Sequence, residues 1–254
     1  MNSDPKHFEL CWQVEAACSA AWPASEIQIV DGYEFRFTAG TPTRRVNTVN
    51  PTPTHQTMTR ELVEKARAFY SDKGMGTTFR VPTIGNRLDE ALDGLEVSAG
   101  VDKTNTIMCE NLDWCEHDQA VAVTVKPSAK WLEFATRRVE MDVDKRKRFF
   151  GELSQIPFPV VFGEMEIDDE LAAIAFVVVV EDIAIVESVE TAPKFRRQGR
   201  AAKLLSSLLS RARTLGADKA ALQVVDANQS AKALYQKLGF TTNLYDYHYR
   251  TLAK

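Results

Sequence analysis

The chain has 254 residues, 44% of them hydrophobic, and a formal net charge of -4 at pH 7. That length supplies material for one large or two modest domains, and the acidic balance argues against nucleic acid, which draws a basic surface. No apolar run reaches the roughly 18 residues of a membrane span. The opening Met-Asn-Ser-Asp-Pro-Lys-His lacks the basic-then-apolar pattern of a secretory leader, so a cytoplasmic protein away from membranes is expected.

In chain order, residues 5–21 read as a helix, with Phe8, Trp12, Glu15/Ala16 and Ser19/Ala20 at helical spacing and Trp22-Pro23 ending it. Tyr33 to Phe37 alternates as a strand. Ala39-Gly-Thr-Pro42 is a turn, Arg44 to Val49 a second strand, and Pro51-Thr-Pro53-Thr a break. A helix capped by Thr59 runs to Lys73, where Gly74 stops it. Thr77 to Val81 is a short strand, Asn86 caps a helix to about Leu95, and Thr106 to Glu110 is a strand.

A change of character over residues 113–130 divides the chain into domains 1–118 and 119–254. After a short strand at Ala120–Val125, Ser128 opens a helix carrying Trp131, Phe134 and Val139. Residues 143–154 form another, with a basic face at Lys145–Arg148 that reads as solvated. Val160–Met165 and Leu171–Val180 are strands. The second is apolar almost throughout and fits burial on both faces, and Glu181-Asp182 turns the chain into a third strand. The helix from Gly199 to Leu215 carries one apolar stripe of Leu204, Leu205, Leu208, Leu209, Ala212 and Leu215, with Gly216 after it. Ala220–Val225 is a strand, Asn228 caps a helix ending before Gly239, and Tyr245–Arg250 alternates as a final strand.

Cys11 and Cys18 would stand about 10 Å apart on a helix, beyond disulfide reach. Cys109, Cys115 and His117 match no standard zinc spacing. Reduced thiols and no metal are expected.

Between strand and helix lies Val-Glu-Thr-Ala-Pro-Lys-Phe-Arg-Arg-Gln-Gly-Arg-Ala-Ala, Val189 to Ala202. Arg196-x-x-Gly199-x-Ala201 inside it places small residues and unpaired helix-start N–H groups near a ligand. Arg196, Arg197, Arg200 and Lys203 add charge, which together suit a pyrophosphate. It is neither the Walker loop nor Gly-x-Gly-x-x-Gly.

This stretch, followed by Asn228-Gln-Ser-Ala-Lys-Ala-Leu-Tyr235-Gln-Lys-Leu-Gly239-Phe240, resembles the GNAT superfamily of N-acetyltransferases, which use acetyl-coenzyme A. The resemblance covers the second half of the chain well. It implies an α+β fold with a mixed, mostly antiparallel sheet flanked by helices. It also implies that backbone groups of Val189, Glu190 and Thr191 bind the pantetheine arm as an added strand, beside a bulge that splays the strands. Arg196, Arg197, Gln198, Gly199, Arg200, Ala201 and Ala202 would hold the pyrophosphate, Asn228 would touch the cofactor, and Tyr235 would serve as acid for the thiolate. Some members place a glutamate five residues before the asparagine. Here that position is Gln223, so Glu187, acting through a water, is the candidate base. Asp226 is a weaker one and His248 reads as structural. The acceptor that the resemblance implies would be a primary amine of a small molecule or peptide. The competing reading is a non-catalytic coenzyme A-binding regulatory module.

Laying residues 51–95 over 193–237, an offset of 142, aligns Pro51 with Pro193, Gly74 with Gly216 and Asn86 with Asn228. Proposed helices start and stop together, so the architecture reads as duplicated. Thr54, Thr57 and Thr59 stand where Arg196, Gly199 and Ala201 stand in the second copy, and Asp93 stands at Tyr235, so the first copy reads as degenerate. The first half also resembles the N-terminal half of tandem members of the family, at Ala21–Ala24 and Thr43–Pro51.

Overall fold

The computed structural model describes residues 4–41, 43–137, 151 and 153–252. Pro42, Val139 and most of the helix predicted over 143–154, with its basic face, lie outside them. The chain forms two compact units: residues 1–106 with 224–228 and 244–254, and residues 107–223 with 229–243. The C-terminal strand thus groups with the first unit.

The first unit opens with helix α1 (Pro5–Ala20), whose N-cap Asp4 accepts from Lys6 N. Strands β1 (Glu26–Val30), β2 (Tyr33–Phe37), β3 (Val49–Pro51), β4 (Thr78–Pro82), β5 (Val101–Cys109) and the last strand of the chain, β11 (Thr242–Thr251), build its sheet. Their order is β1-β2-β3-β4-β11-β5. β1 is absent from the sequence reading. It is exposed on nearly every residue and so carries no alternation. Asp31 and Gly32, both at positive φ, turn it into β2. The strand predicted over Arg44–Val49 is a turn instead, and β3 starts only at Val49. Asn47 holds the loop, accepting from Thr38 N at 2.9 Å and donating to the carbonyls of Thr41 and Thr43.

Helix α2 (Arg60–Ser71) has Thr59 as its cap, and its stripe of Leu62, Val63, Ala66 and Tyr70 packs on Tyr33, Phe35 and Phe79. Helix α3 (Leu88–Asp93) begins after Arg87, which sits at φ 57 with no side-chain cap, so Asn86 does not cap it. Its N–H instead bonds Ile84 O in a tight turn.

A buried ion pair ties α1 to β4. Arg80 Nε and Nη2 donate to Glu15 at 2.5 and 2.8 Å, and Tyr245 Oη adds a third bond to the same carboxylate. Burial alone would raise the Glu15 carboxyl; Arg80 and Tyr245 hold it below its ordinary value. A depressed carboxyl stabilises the fold at neutral pH and loses that contribution as pH falls through its lowered value. Glu15→Gln keeps the shape and leaves Arg80 charged and underpaired. It should cost about 3 kcal/mol in urea unfolding at pH 7, and a variant as stable as the parent would show the pair to be dispensable.

The second unit holds β6 (Val121–Thr124), β7 (Val160–Ile167), β8 (Glu170–Val180), β9 (Ile183–Thr191) and β10 (Lys219–Val225), in the order β10-β9-β8-β7-β6. Helix α4 (Ala129–Thr136) starts at Ser128, whose hydroxyl accepts from Trp131 N. The Trp131 indole N–H is shared between the carbonyls of Gly163 and Ala175, at 3.1 and 3.3 Å, fastening α4 to β7 and β8. Helix α5 (Arg200–Arg213) buries Leu204, Leu205, Leu208, Leu209 and Ala212 completely. Gly163 lets it lie close to the sheet: a Cβ there would stand 2.9 Å from Leu204 and Leu208 side-chain atoms. Helix α6 (Gln229–Lys237) ends before Gly239, which has φ 82.

Within each unit four strands run in the same pattern. β1-β2-β3-β4 and β7-β8-β9-β10 are each antiparallel at the first two junctions and parallel at the third. Shifted by 142 residues, α5, β10 and α6 fall on α2, β4 and α3. The leading strand does not keep phase, because the Asn47-held loop occupies its place.

Candidate active site

The site is built at the parting of two strands. β9 and β10 pair in parallel from Ile183↔Lys219 to Val186↔Leu222, and there the register ends although both strands continue. On its other side β9 pairs with β8 through Ile174↔Glu190 and Phe176↔Glu187, so Ala175 alone spans Ser188 and Val189. Ser188 takes φ 52, the left-handed conformation of a bulged residue. The extra residue bends β9 where it leaves β10. Val189, Glu190 and Thr191 follow, half-buried, along a strand edge that β10 does not register with. An extended ligand carrying amides fits such an edge.

After Thr191 the chain makes a 3-10 turn at Pro193–Phe195. Arg196 Nε donates to Thr191 O at 3.2 Å and Gln198 Nε2 to Lys194 O at 3.0 Å, folding the loop on itself. Arg197 and Gly199 take φ 59 and 74, and α5 begins at Arg200. Lys203 N donates to Gly199 O, so the N–H groups of Gly199, Arg200, Ala201 and Ala202 lie ahead of the helical ladder. A Cβ on Gly199 would meet no atom of the described residues within 4 Å. Open space, free helix donors, the positive dipole end and exposed Arg196 and Arg197 therefore coincide. Lys203 is partly withdrawn from this set. Its Nζ lies 2.8 Å from Asp118 Oδ2, and the Lys203 bond, helped by the Ala120 N–H, holds that carboxyl below its ordinary value. Sequence reading gave no signal for Asp118, which reaches α5 from 85 residues earlier in the chain.

Glu187 on β9 and Tyr235 on α6 are both buried, at 4% and 8% exposure. Burial pushes the Tyr235 phenol up to about 12, and the Glu187 carboxylate adds to the rise. The fold brings these two within electrostatic reach of each other, which 47 intervening positions in the sequence do not reveal. The Tyr235 ring meets Phe240 edge-on at 6.0 Å.

Asn228 is exposed immediately before α6, its N–H bonded to Val225 O at 2.9 Å. Gln223 is half-buried on β10. Asp226 donates its N–H to Lys103 O. His248 Nε2 lies 3.1 Å from Asp89 Oδ1, a carboxylate shared with Arg250, which fits a structural role. All four cysteines are free and buried. Among the described residues there is no group of three or more His, Cys, Asp or Glu able to hold a metal, and no helix long and apolar enough to cross a membrane.

The corresponding stretch of the first unit is closed. Thr59 Oγ1 accepts from Leu62 N at 3.2 Å and so occupies the start of α2. The preceding loop lies on Gly32, where a Cβ would stand 2.4 Å from His55 Cα and 2.6 Å from Thr54 O. Tyr33 Oη donates to Gln56 O at 2.8 Å. Side chains and backbone of the chain itself fill the space that is open at Gly199.

Residues 11–250 match the family model described as "Probable histone acetyltransferase Rv0428c C-terminal". The chain is 24% identical over 247 residues to the "Uncharacterized N-acetyltransferase YobR" of Bacillus subtilis, covering 94% of this chain and 97% of that protein. It is 34% identical over 94 residues to the "[Ribosomal protein bS18]-alanine N-acetyltransferase" of Salmonella typhimurium, covering 37% of this chain and 62% of that one. A GCN5-related N-acetyltransferase from Kribbella flavida shares the fold, with a TM-score of 0.67 at 14% identity over 97% of this chain and 95% of that one.

Proposed function

We propose a substrate class and a division of labour for a chain that belongs to the matched acetyltransferase family and is an N-acetyltransferase of the GNAT superfamily. The cosubstrate is acetyl-coenzyme A, bound once per chain, and the acceptor is a primary amine of a small molecule or peptide. The observation that carries this is Gly199, left-handed and with empty space over its α-carbon at the start of α5. When bound, acetyl-coenzyme A supplies an acetyl thioester that amines attack.

Backbone groups of Val189, Glu190 and Thr191 orient the arm of that ligand. Arg196, Arg197, Gln198, Gly199, Arg200, Ala201 and Ala202 hold its pyrophosphate, the three arginines supplying the opposite charge, and Asn228 adds a polar contact. Tyr235 holds its proton on Oη at neutral pH, as its raised pKa requires, and can give it to a departing thiolate. Glu187, through a water, takes the proton of the incoming amine. One carboxyl and one phenol with opposite tasks form a common acid–base arrangement. The words "histone" and "ribosomal protein bS18-alanine" in the names of the family and one relative favour a peptide amine.

Residues 1–118 are a degenerate copy of the catalytic half 119–254, and shape the acceptor side. Thr59 and His55 in the closed loop support this, since they leave no room for a second pyrophosphate. Titration calorimetry with acetyl-coenzyme A should give one site per chain; two sites would reject the degenerate reading. The alternative is a coenzyme A-binding regulatory module, favoured by the amide at Gln223. Thioester consumption with a panel of amines and peptides decides between them, because a module consumes none.

A further inference from the structure

We propose that β1 is a dimerisation edge, on which a second copy of this chain pairs antiparallel about a two-fold axis through Gln28. Among the described residues β1 is the outermost strand of the first unit's sheet, with a pairing partner on one side only. Edge strands are ordinarily blunted by lysine, proline or a bulge. Glu26-Ile27-Gln28-Ile29-Val30 has none of these, and its pairing with β2 is regular.

The hairpin fixes which groups face outward. Val30↔Tyr33 closes a two-residue turn of Asp31 and Gly32. In such a turn the closing pair exchanges both backbone bonds, and every second pair beyond it does the same. Gln28↔Phe35 and Glu26↔Phe37 are therefore bonded inward, and the N–H and C=O groups of Ile27 and Ile29 point to the open edge. A two-fold axis at Gln28 sets Ile27 opposite Ile29 of the second copy, where each exchanges both bonds with the other. Glu26 falls opposite Val30, so no like charges meet.

The side chains agree with this register. Ile27 and Ile29 are 46% and 61% exposed, among the few large apolar residues left in water among the described residues. Directly opposed residues share a face, so the axis gathers the isoleucines of both copies into one apolar cluster. Strands of five residues bury less than a standard interface. The expected dissociation constant is therefore weak, roughly 10–100 μM.

Sedimentation equilibrium over about 5–500 μM should show the mass rising from 28.4 kDa toward twice that value. Ile27→Lys/Ile29→Lys alters only exposed positions and should remain at the monomer mass with an unchanged circular dichroism spectrum. Gln28→Cys tests the register. Facing residues at a non-hydrogen-bonded pair have Cα atoms about 4.5 Å apart, within disulfide range. Oxidised glutathione should therefore cross-link that variant into a dimer, while Glu26→Cys, which faces Val30, should not cross-link. The four native cysteines are buried and do not confuse the readout. A monomer at every concentration, association that survives the double lysine variant, or equal cross-linking from positions 26 and 28 would each overturn the proposal.

Discussion

Tyr235→Phe should lower turnover by roughly 10²-fold or more while acetyl-coenzyme A binds as tightly as to the parent, the usual scale of an acid–base contribution. The substitution keeps the ring that packs edge-on against Phe240 and removes only the hydroxyl. A hundredfold corresponds to about 2.7 kcal/mol of transition-state stabilisation. The pH dependence is a second check. A phenol at about 12 remains protonated through neutral and mildly alkaline conditions. The parent rate should therefore show no falling limb attributable to Tyr235 below roughly pH 11. Unchanged turnover in Tyr235→Phe, measured under conditions where chemistry limits the rate, removes the residue from the mechanism.

Gly199→Glu should abolish acetyl-coenzyme A binding, with at least a hundredfold loss of affinity in calorimetry. Two effects combine. Position 199 has φ 74, which costs a non-glycine residue about 1 kcal/mol. The larger effect is electrostatic: the new carboxylate enters the space left open over the α-carbon and takes the donors ahead of Lys203 for itself. Because no described residue lies within 4 Å of that Cβ, the fold itself has no reason to fail. Gly199→Asn accepts the left-handed backbone without adding charge, and should bind with an intermediate affinity. Parent-like binding by Gly199→Glu would place the pyrophosphate elsewhere.

The amino-acid sequence by itself determined the parts of this protein that local rules govern. The stripe from Leu204 to Ala212 fixed α5, Thr59 and Ser128 fixed the starts of α2 and α4, and the apolar run ending at Val180 fixed a buried strand, because side-chain spacing and capping act within a few residues. Arg196-x-x-Gly199-x-Ala201 was legible for the same reason: a loop entering a helix is a local object. Where a local signal was missing or belonged to something else, reading failed. β1 is exposed on nearly every residue and shows no alternation, while the Arg44–Val49 stretch is bent into a turn by hydrogen bonds from Asn47. The tertiary structure alone decided what depends on distant segments meeting. It brought Glu187 within electrostatic reach of Tyr235, drew Lys203 to Asp118, put the bulge at Ser188 opposite Ala175, and laid His55 over Gly32 so that the first unit's loop is filled. Each is a contact across the sheet or between elements, whose energy comes from burial and charge at separations in sequence that carry no pattern of their own.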